Sequence, residues 1–245
     1  MVDRSTRMII HFTKSMYEAI LLMSTVVDWK KHNMCDSVLI HTHKDRLDFY
    51  VSDRGIGIRK TFEYAPKDGE DTGKSWELLS DDGKEYYNDE RFILNKNVIE
   101  EFKKAKKLKV KEITVILTAP STIVSYAGYE KTIDDKIDYS LIFPGIESIF
   151  DGAIYACLNN TSQKGLLNLS IRYHALFKIG KFCNTVKNPY SNIELFFDEH
   201  QIYIYGYLMT SYNKPDYEFV STVVGICDDF KNHIIEYHKK LNNEN

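Results

Sequence analysis

The sequence predicts an α+β fold built from antiparallel sheets. Three observations predict it. An amphipathic helix followed by a run of alternating apolar and polar residues occurs three times. The links between alternating runs are too short for crossover helices, which favours hairpins over βαβ units. The helices tend to carry lysines on their outer face, most clearly in FILNKNVIEEFKKAKKLKVKEITVIL, which begins at Phe92.

The first helix is predicted over 13–29, where Met16, Ile20, Met23 and Val27 recur at i, i+4, i+7 and i+11 and Thr13 can act as N-cap. Strands follow at 36–43 and 46–53. Leu47, Phe49 and Val51 alternate with polar neighbours, and Lys44-Asp45 makes a turn. A third strand runs from Gly57 to Phe62. The stretch 65–90 holds nine acids and three lysines, with Pro66, Gly69, Gly73 and Gly83 and no sustained period. It reads as a solvated acidic loop or insertion.

The second helix is predicted over 96–108. At 100° per residue, Val98, Phe102, Ala105 and Leu108 share one side, and Lys96, Lys103 and Lys107 the other. Strands are expected at 111–118, 121–127 and 137–143, before Pro144-Gly145. Residues 146–165 fit either a short helix or a connector. Then come strand 166–171, helix 172–184, and strands 191–197, 201–208 and 217–225. In helix 172–184, Tyr173, Leu176, Phe177 and Gly180 are expected to face inward, with His174, Lys178 and Lys181 outward. A tail helix at 228–241 aligns Phe230, Ile234, Tyr237 and Leu241.

Composition bounds the function. At 245 residues the chain can form one large domain or two ordinary ones. The net charge of −3 conceals a body of +3 carrying the acidic segment of −6. Cys35, Cys157, Cys183 and Cys227 lie far apart without a C-x-x-C, which argues against a zinc ribbon and for reduced thiols. The N-terminus lacks the apolar core of a signal peptide, and no run approaches the length of a membrane span. The expectation is a soluble intracellular protein without a membrane partner. Abundant Lys, Asn, Ile and Tyr suit an AT-rich genome, and the expectation extends to a viral or phage source.

The repeated unit resembles the sliding-clamp family of DNA polymerase processivity factors. The resemblance rests on MIIHFTKSMYEAILLMSTVVDW with RLDFYVSDRGIGIRKTF, on the stretch from Phe92, and on LLNLSIRYHALFKIGKF with NIELFF, QIYIYGYL and YEFVSTVVGI. It implies a non-enzymatic protein without cofactor or catalytic residues, whose helices contact the DNA backbone irrespective of sequence. Phosphate contacts give affinity through counterion release and tolerate sliding. Lys96, Lys103, Lys107, Lys178 and Lys181 would then contact duplex DNA; the plain alternative is a solvated lysine face. The resemblance further implies binding of a DNA polymerase or other replication proteins beside the last strand, at Val223, Val224 and Ile226, and a homo-oligomer. The implied domains are 1–143, 144–227 with a shortened first half, and a tail at 228–245. In place of a full third unit the sequence offers only the region 144–168.

A second resemblance rivals the first. Ser52-Asp53-Arg54-Gly55-Ile56-Gly57-Ile58 matches the D-x-G-x-G box of ATPases related to gyrase and the histidine kinases, in which Asp53, Gly55 and Gly57 would hold a nucleotide. The preceding helix has no magnesium-binding asparagine, and no glycine-rich phosphate loop follows. A turn between two strands explains the box as well. Other groupings are weaker. His41 and His43 share a strand face near Asp45 and Asp48 without two further metal ligands. His233 and His238 are five apart, the wrong spacing for a helical metal pair. Tyr203, Tyr205 and Tyr207 suit cross-strand packing better than base stacking. No metal site is predicted. A protein-interaction module without DNA or nucleotide is the remaining alternative.

Overall fold

The computed structural model describes residues 7–26, 37–43, 46–53, 56–63, 76–79, 90–118, 121–134, 146–158, 173–186, 192–197, 203–209, 217–222 and Glu236. The first unit is β1 (Arg7–Thr13), α1 (Lys14–Met23), β2 (Ser37–Thr42), β3 (Arg46–Asp53) and β4 (Ile56–Glu63). Along β1, Met8, Ile10 and Phe12 are buried, the period of two that a half-covered strand requires. Thr13 ends the strand and caps the helix, its Oγ1 accepting from the Met16 amide at 3.4 Å. A 3-10 turn, Ser24–Val26, closes α1, so the helix expected over 13–29 ends by Val26; 27–29 lie outside the described residues.

After β5 (Trp76–Leu79), a second unit repeats the order: β6 (Arg91–Asn95), α2 (Lys96–Lys107), β7 (Glu112–Thr118), β8 (Ser121–Tyr126) and β9 (Tyr129–Asp134). Asn95 caps α2 as Thr13 caps α1, its Oδ1 accepting from the Val98 amide at 3.0 Å. The helix exits through Lys109 at φ 56°, a left-handed residue that lets the Val110 amide reach the Ala105 carbonyl. The last described elements are α3 (Ile146–Leu158), α4 (Tyr173–Val186), β10 (Asn192–Phe197), β11 (Tyr203–Met209) and β12 (Tyr217–Thr222).

The two units exchange their first strands. β1 leaves its own unit and pairs antiparallel with β7 in the sheet β5-β1-β7-β8-β9. β6 in turn pairs with β2 in the sheet β10-β11-β12-β4-β3-β2-β6. Packing one sheet's inner face beside the other's gives a shared core. Phe12 of β1 sits 6.0 Å from Phe49 of β3 and 5.1 Å from Phe102 of α2, ring centre to ring centre. Tyr17 of α1 packs on Phe102 and donates its hydroxyl to the Val110 carbonyl. Burying Phe102 completely stabilises the fold by roughly 1.5–3 kcal/mol.

Helices α1, α2 and α4 contribute to this core, with α1 touching both others. Helix α3 lies on the opposite face of the seven-stranded sheet. Its Ile146, Phe150, Ala153 and Cys157 pack on Leu39, Tyr50, Ile93, Tyr205 and Val220, the residues of alternate parity on β2, β3, β6, β11 and β12. Phe150 rests on Gly57, where an added Cβ would stand 3.0 Å from the ring, and beneath Arg59, whose guanidinium carbon is 5.3 Å from the ring centre. Glu147 anchors the first turn through Arg91 at 2.7 Å and through His41.

Several expectations are corrected. The acidic stretch contains a strand, β5, which pairs with β1. Strands β1 and β6 precede α1 and α2, where the sequence pattern predicted none. The third strand of the second unit is 129–134; the run 137–143 lies outside the described residues, as do 166–171 and all of the tail 228–241 but Glu236, which is helical and exposed. Residues 146–158 are a helix. Leu108, expected inward, is 67 % exposed because α2 ends at Lys107 and the chain turns there.

Candidate nucleic-acid interface

Helix α2 places its charges by the face they occupy. Val98, Phe102 and Ala105 enter the core, and Lys96, Lys103 and Lys107 are exposed on the other side. Residues 96–111 hold seven lysines against two glutamates, a net of +5. The cations at the end of α2 also complement the negative end of the helix dipole. Lys103 bonds Glu100 at 2.7 Å, and Lys106 lies 3.6 Å from Glu18 of α1. Both pairs are solvent-exposed and worth little. Among the described residues, Lys96, Lys107, Lys109 and Lys111 have no ion-pair partner.

Glu101 is the residue the sequence reading missed. It is 1 % exposed and sits beneath α2 against β8 and β9. Lys104 and Lys131 each donate to its Oε1 at 2.9 Å, and the Tyr126 hydroxyl donates to Oε2 at 3.1 Å. Burial pushes this carboxyl up, but the bonds from Lys131, Lys104 and Tyr126 outweigh it, leaving it below the ordinary range. Burial and the bond to Glu101 push the Tyr126 hydroxyl up to about 12. Glu101 thus engages Lys104 and fixes the helix on its sheet. The signal was present: positions 98, 101, 102 and 105 form one stripe, and a glutamate occupies its second place.

Helix α4 faces differently from the sequence expectation. Ile179 and Phe182 are buried, with Cys183 and Val186 packed beside them. Phe182 meets Tyr217 of β12 edge-on at 5.0 Å. Burial pushes the Cys183 thiol up to about 11. Phe177 and Gly180, expected inward, are exposed. Apolar residues lie on both sides of this helix, so periodicity did not choose between them. Lys178 is half-buried, and its ammonium donates to the Val26 carbonyl, where it caps the 3-10 turn instead of pointing outward. Lys181 is exposed. The side chains of Tyr173, His174 and Leu176 lie outside the described residues.

The other candidates resolve into packing. Asp53 ends β3 opposite Ile56, and Gly57 is buried inside β4, where an added Cβ would meet Phe150 and Val220. Gly55 lies outside the described residues, as do Val223, Val224 and Ile226. His41 and His43 stack at 4.1 Å, one against Glu147 and the other 3.0 Å from Asp48. Among the described residues no group of side chains has the arrangement of a metal site. His233 and His238 are not among them. Tyr205 is buried below α3 and donates to Glu218 at 2.6 Å; Tyr207 packs partly against it. No helix among the described residues is long and apolar enough to cross a membrane.

No family model matches the chain, and no curated protein does. Solved structures do match. The chain is similar to the DNA polymerase III beta subunit of Thermotoga maritima, at 13 % identity and a TM-score of 0.53, over 90 % of this chain and 65 % of that one. It is similar to the DNA polymerase III beta sliding clamp of Bartonella birtlesii, at 11 % identity and a TM-score of 0.54, over 92 % and 67 %. The beta subunit of Streptococcus pyogenes aligns at 12 % identity and a TM-score of 0.51, over 90 % and 65 %. The chain has the sliding-clamp fold, and it spans about two thirds of the length of these proteins.

Proposed function

We propose that this chain is a non-enzymatic, clamp-like processivity factor that contacts the backbone of duplex DNA without regard to sequence. The observation that carries the reading is the run of exposed lysines, Lys96, Lys103 and Lys107 on α2 and Lys109 and Lys111 just beyond it, in a chain with the sliding-clamp fold. Lys96, Lys103 and Lys107 of α2 and Lys181 of α4 make the phosphate contacts. Lys178 serves the fold and is not among them. The chain tethers a DNA polymerase or another replication protein inside the cell, through Val223, Val224 and Ile226 beyond β12.

The proposed division at 143/144 separates two segments that share one sheet, because β12 pairs with β4 across it. The tail 228–245 is the third segment. The region 144–168 is the shortened first half of the second segment. The chain self-associates through its sheet edges; β9 and β10 are end strands of their sheets.

Duplex binding measured against salt tests the reading. Four phosphate contacts give a log–log slope of roughly −3 to −4, and a Lys103→Glu/Lys107→Glu chain binds all sequences more weakly. Absence of duplex binding at low salt, or a loss confined to one sequence, refutes it. Solution mass tests the self-association.

A further inference from the structure

Helix α3 packs on the face of the seven-stranded sheet opposite the core to which α1, α2 and α4 contribute, through Ile146, Phe150, Ala153 and Cys157. At 100° per residue, the side turned away from the sheet is centred on Gly152, with Ser148, Ile149, Tyr155 and Ala156 around it. Tyr155 is 73 % exposed and Ile149 43 %. No charge stands on this side. The helix has two acids and neither lysine nor arginine; Glu147 is engaged by Arg91 and His41, and Asp151 lies at the flank. A surface helix ordinarily turns charged residues to water. An uncharged outer side that carries a tyrosine and an isoleucine marks a contact surface.

The layout of that side identifies its occupant. Gly152 is the midpoint of the 13-residue helix, and a Cβ there would meet nothing within 4 Å. Ile149 and Tyr155 stand three residues before and after it, and the small Ser148 and Ala156 four before and after. A two-fold axis at Gly152, with two α3 helices antiparallel, sets glycine on glycine. It brings each Ile149 over the other copy's Ala156 and each Tyr155 over the other copy's Ser148. Every large side chain then meets a small one, as a self-complementary contact requires. We propose that α3 is a self-association face, on which the α3 of a second copy packs antiparallel across Gly152. A helix of this length is about 20 Å long and 10 Å wide, so the footprint is on the order of 200 Å² per copy, far below the roughly 800 Å² per partner of a stable complex. The pairing is therefore weak and concentration-dependent, and it suits copies already held close by another contact. It uses a helix face instead of the edge strands β9 and β10, and it needs no DNA.

The test is the solution mass of the full chain without DNA, followed by sedimentation from roughly 1 μM to 1 mM, the range of weak association. At the top of the range the parent reaches twice the mass of Gly152→Leu, which props the helices apart, and of Tyr155→Glu, which charges the face. Both positions are exposed, and leucine is the better helix former, so thermal unfolding of Gly152→Leu at least matches the parent. Gly152→Cys gives a covalent dimer on mild oxidation in excess over the parent, whereas Ser148→Cys does not, because the axis puts its two copies at opposite ends of the contact. Added salt leaves the pairing intact. Equal masses of parent and Gly152→Leu at the top of the range overturn the proposal. If those equal masses exceed one chain, association through the strand edges stands alone; if they equal one chain, both self-contacts fall. A pairing that salt dissolves is ionic, and it overturns the α3 face as well.

Discussion

Arg59 of β4 and Glu218 of β12 meet as a two-pronged ion pair, Nε to Oε2 and Nη2 to Oε1, each at 2.7 Å. The pair joins strands 159 residues apart in sequence, where the two halves of the seven-stranded sheet come together. Tyr205 adds a hydrogen bond to Glu218, and Phe150 covers the guanidinium. With both side chains largely shielded, losing one partner strands the other's charge. Arg59→Leu or Glu218→Leu alone is expected to cost about 3 kcal/mol in denaturant unfolding. The double variant costs less than the two singles together; strict additivity would show that the groups do not interact.

Gly57 and Phe150 make a second, steric prediction. A methyl group at Gly57 would lie 3.0 Å from the Phe150 ring and 3.2 Å from the Val220 side chain. Gly57→Ala therefore shifts α3 off the sheet and destabilises by about 1–3 kcal/mol. Gly57→Ala combined with Phe150→Leu recovers part of the loss in the same measurement. A nucleotide-binding role for Gly57 predicts instead a lost thermal shift with ATP and little change without it.

Glu101 gives a pH prediction. Its folded pKa lies below the unfolded value near 4.5, so it stabilises the fold above that value. The contribution fades as pH falls through the lower folded pKa. The parent chain should lose more melting temperature than Glu101→Gln between about pH 5 and pH 3. Parallel losses in the two chains would remove Glu101 as the cause.

The lysines of α2 should not be equivalent. Lys104 is bound to Glu101, whereas Lys107 has no ion-pair partner among the described residues. Lys107→Gln is expected to reduce the salt dependence of duplex binding by about one counterion, and Lys104→Gln by less. Equal slopes would mean that Glu101 does not hold Lys104 in solution.

The α+β class and the hairpin β3–β4 were legible because Leu47, Phe49 and Val51 share one side of β3 and alternate with Asp48, Tyr50 and Ser52. Strand β6 was not, for a physical reason. Helix α3 covers its second face, so Phe92, Ile93 and Leu94 are all buried and no alternation remains. Strand β1 was blurred by Ile9 on its outer side, and its partners lie far away in sequence. Strand β9 is an edge whose inward Lys131 belongs to Glu101, so it reads as polar. On the interface, α2 could be read from period alone. On α4 the face depended on Phe182 meeting Tyr217, a contact between distant segments that a local pattern does not contain.

The strand exchange also sets an order of events during synthesis. His11 of β1 bonds Thr114 of β7 across 103 residues, so β1 is made long before the strand that completes its ladder. Until β7 emerges, Met8, Ile10 and Phe12 have no finished sheet to enter, and they stay available to chaperones or to aggregation. The ribosome must therefore deliver both units before either is secure. A chain stopped within α2 is expected to be a target for degradation, with no stable half-sized product.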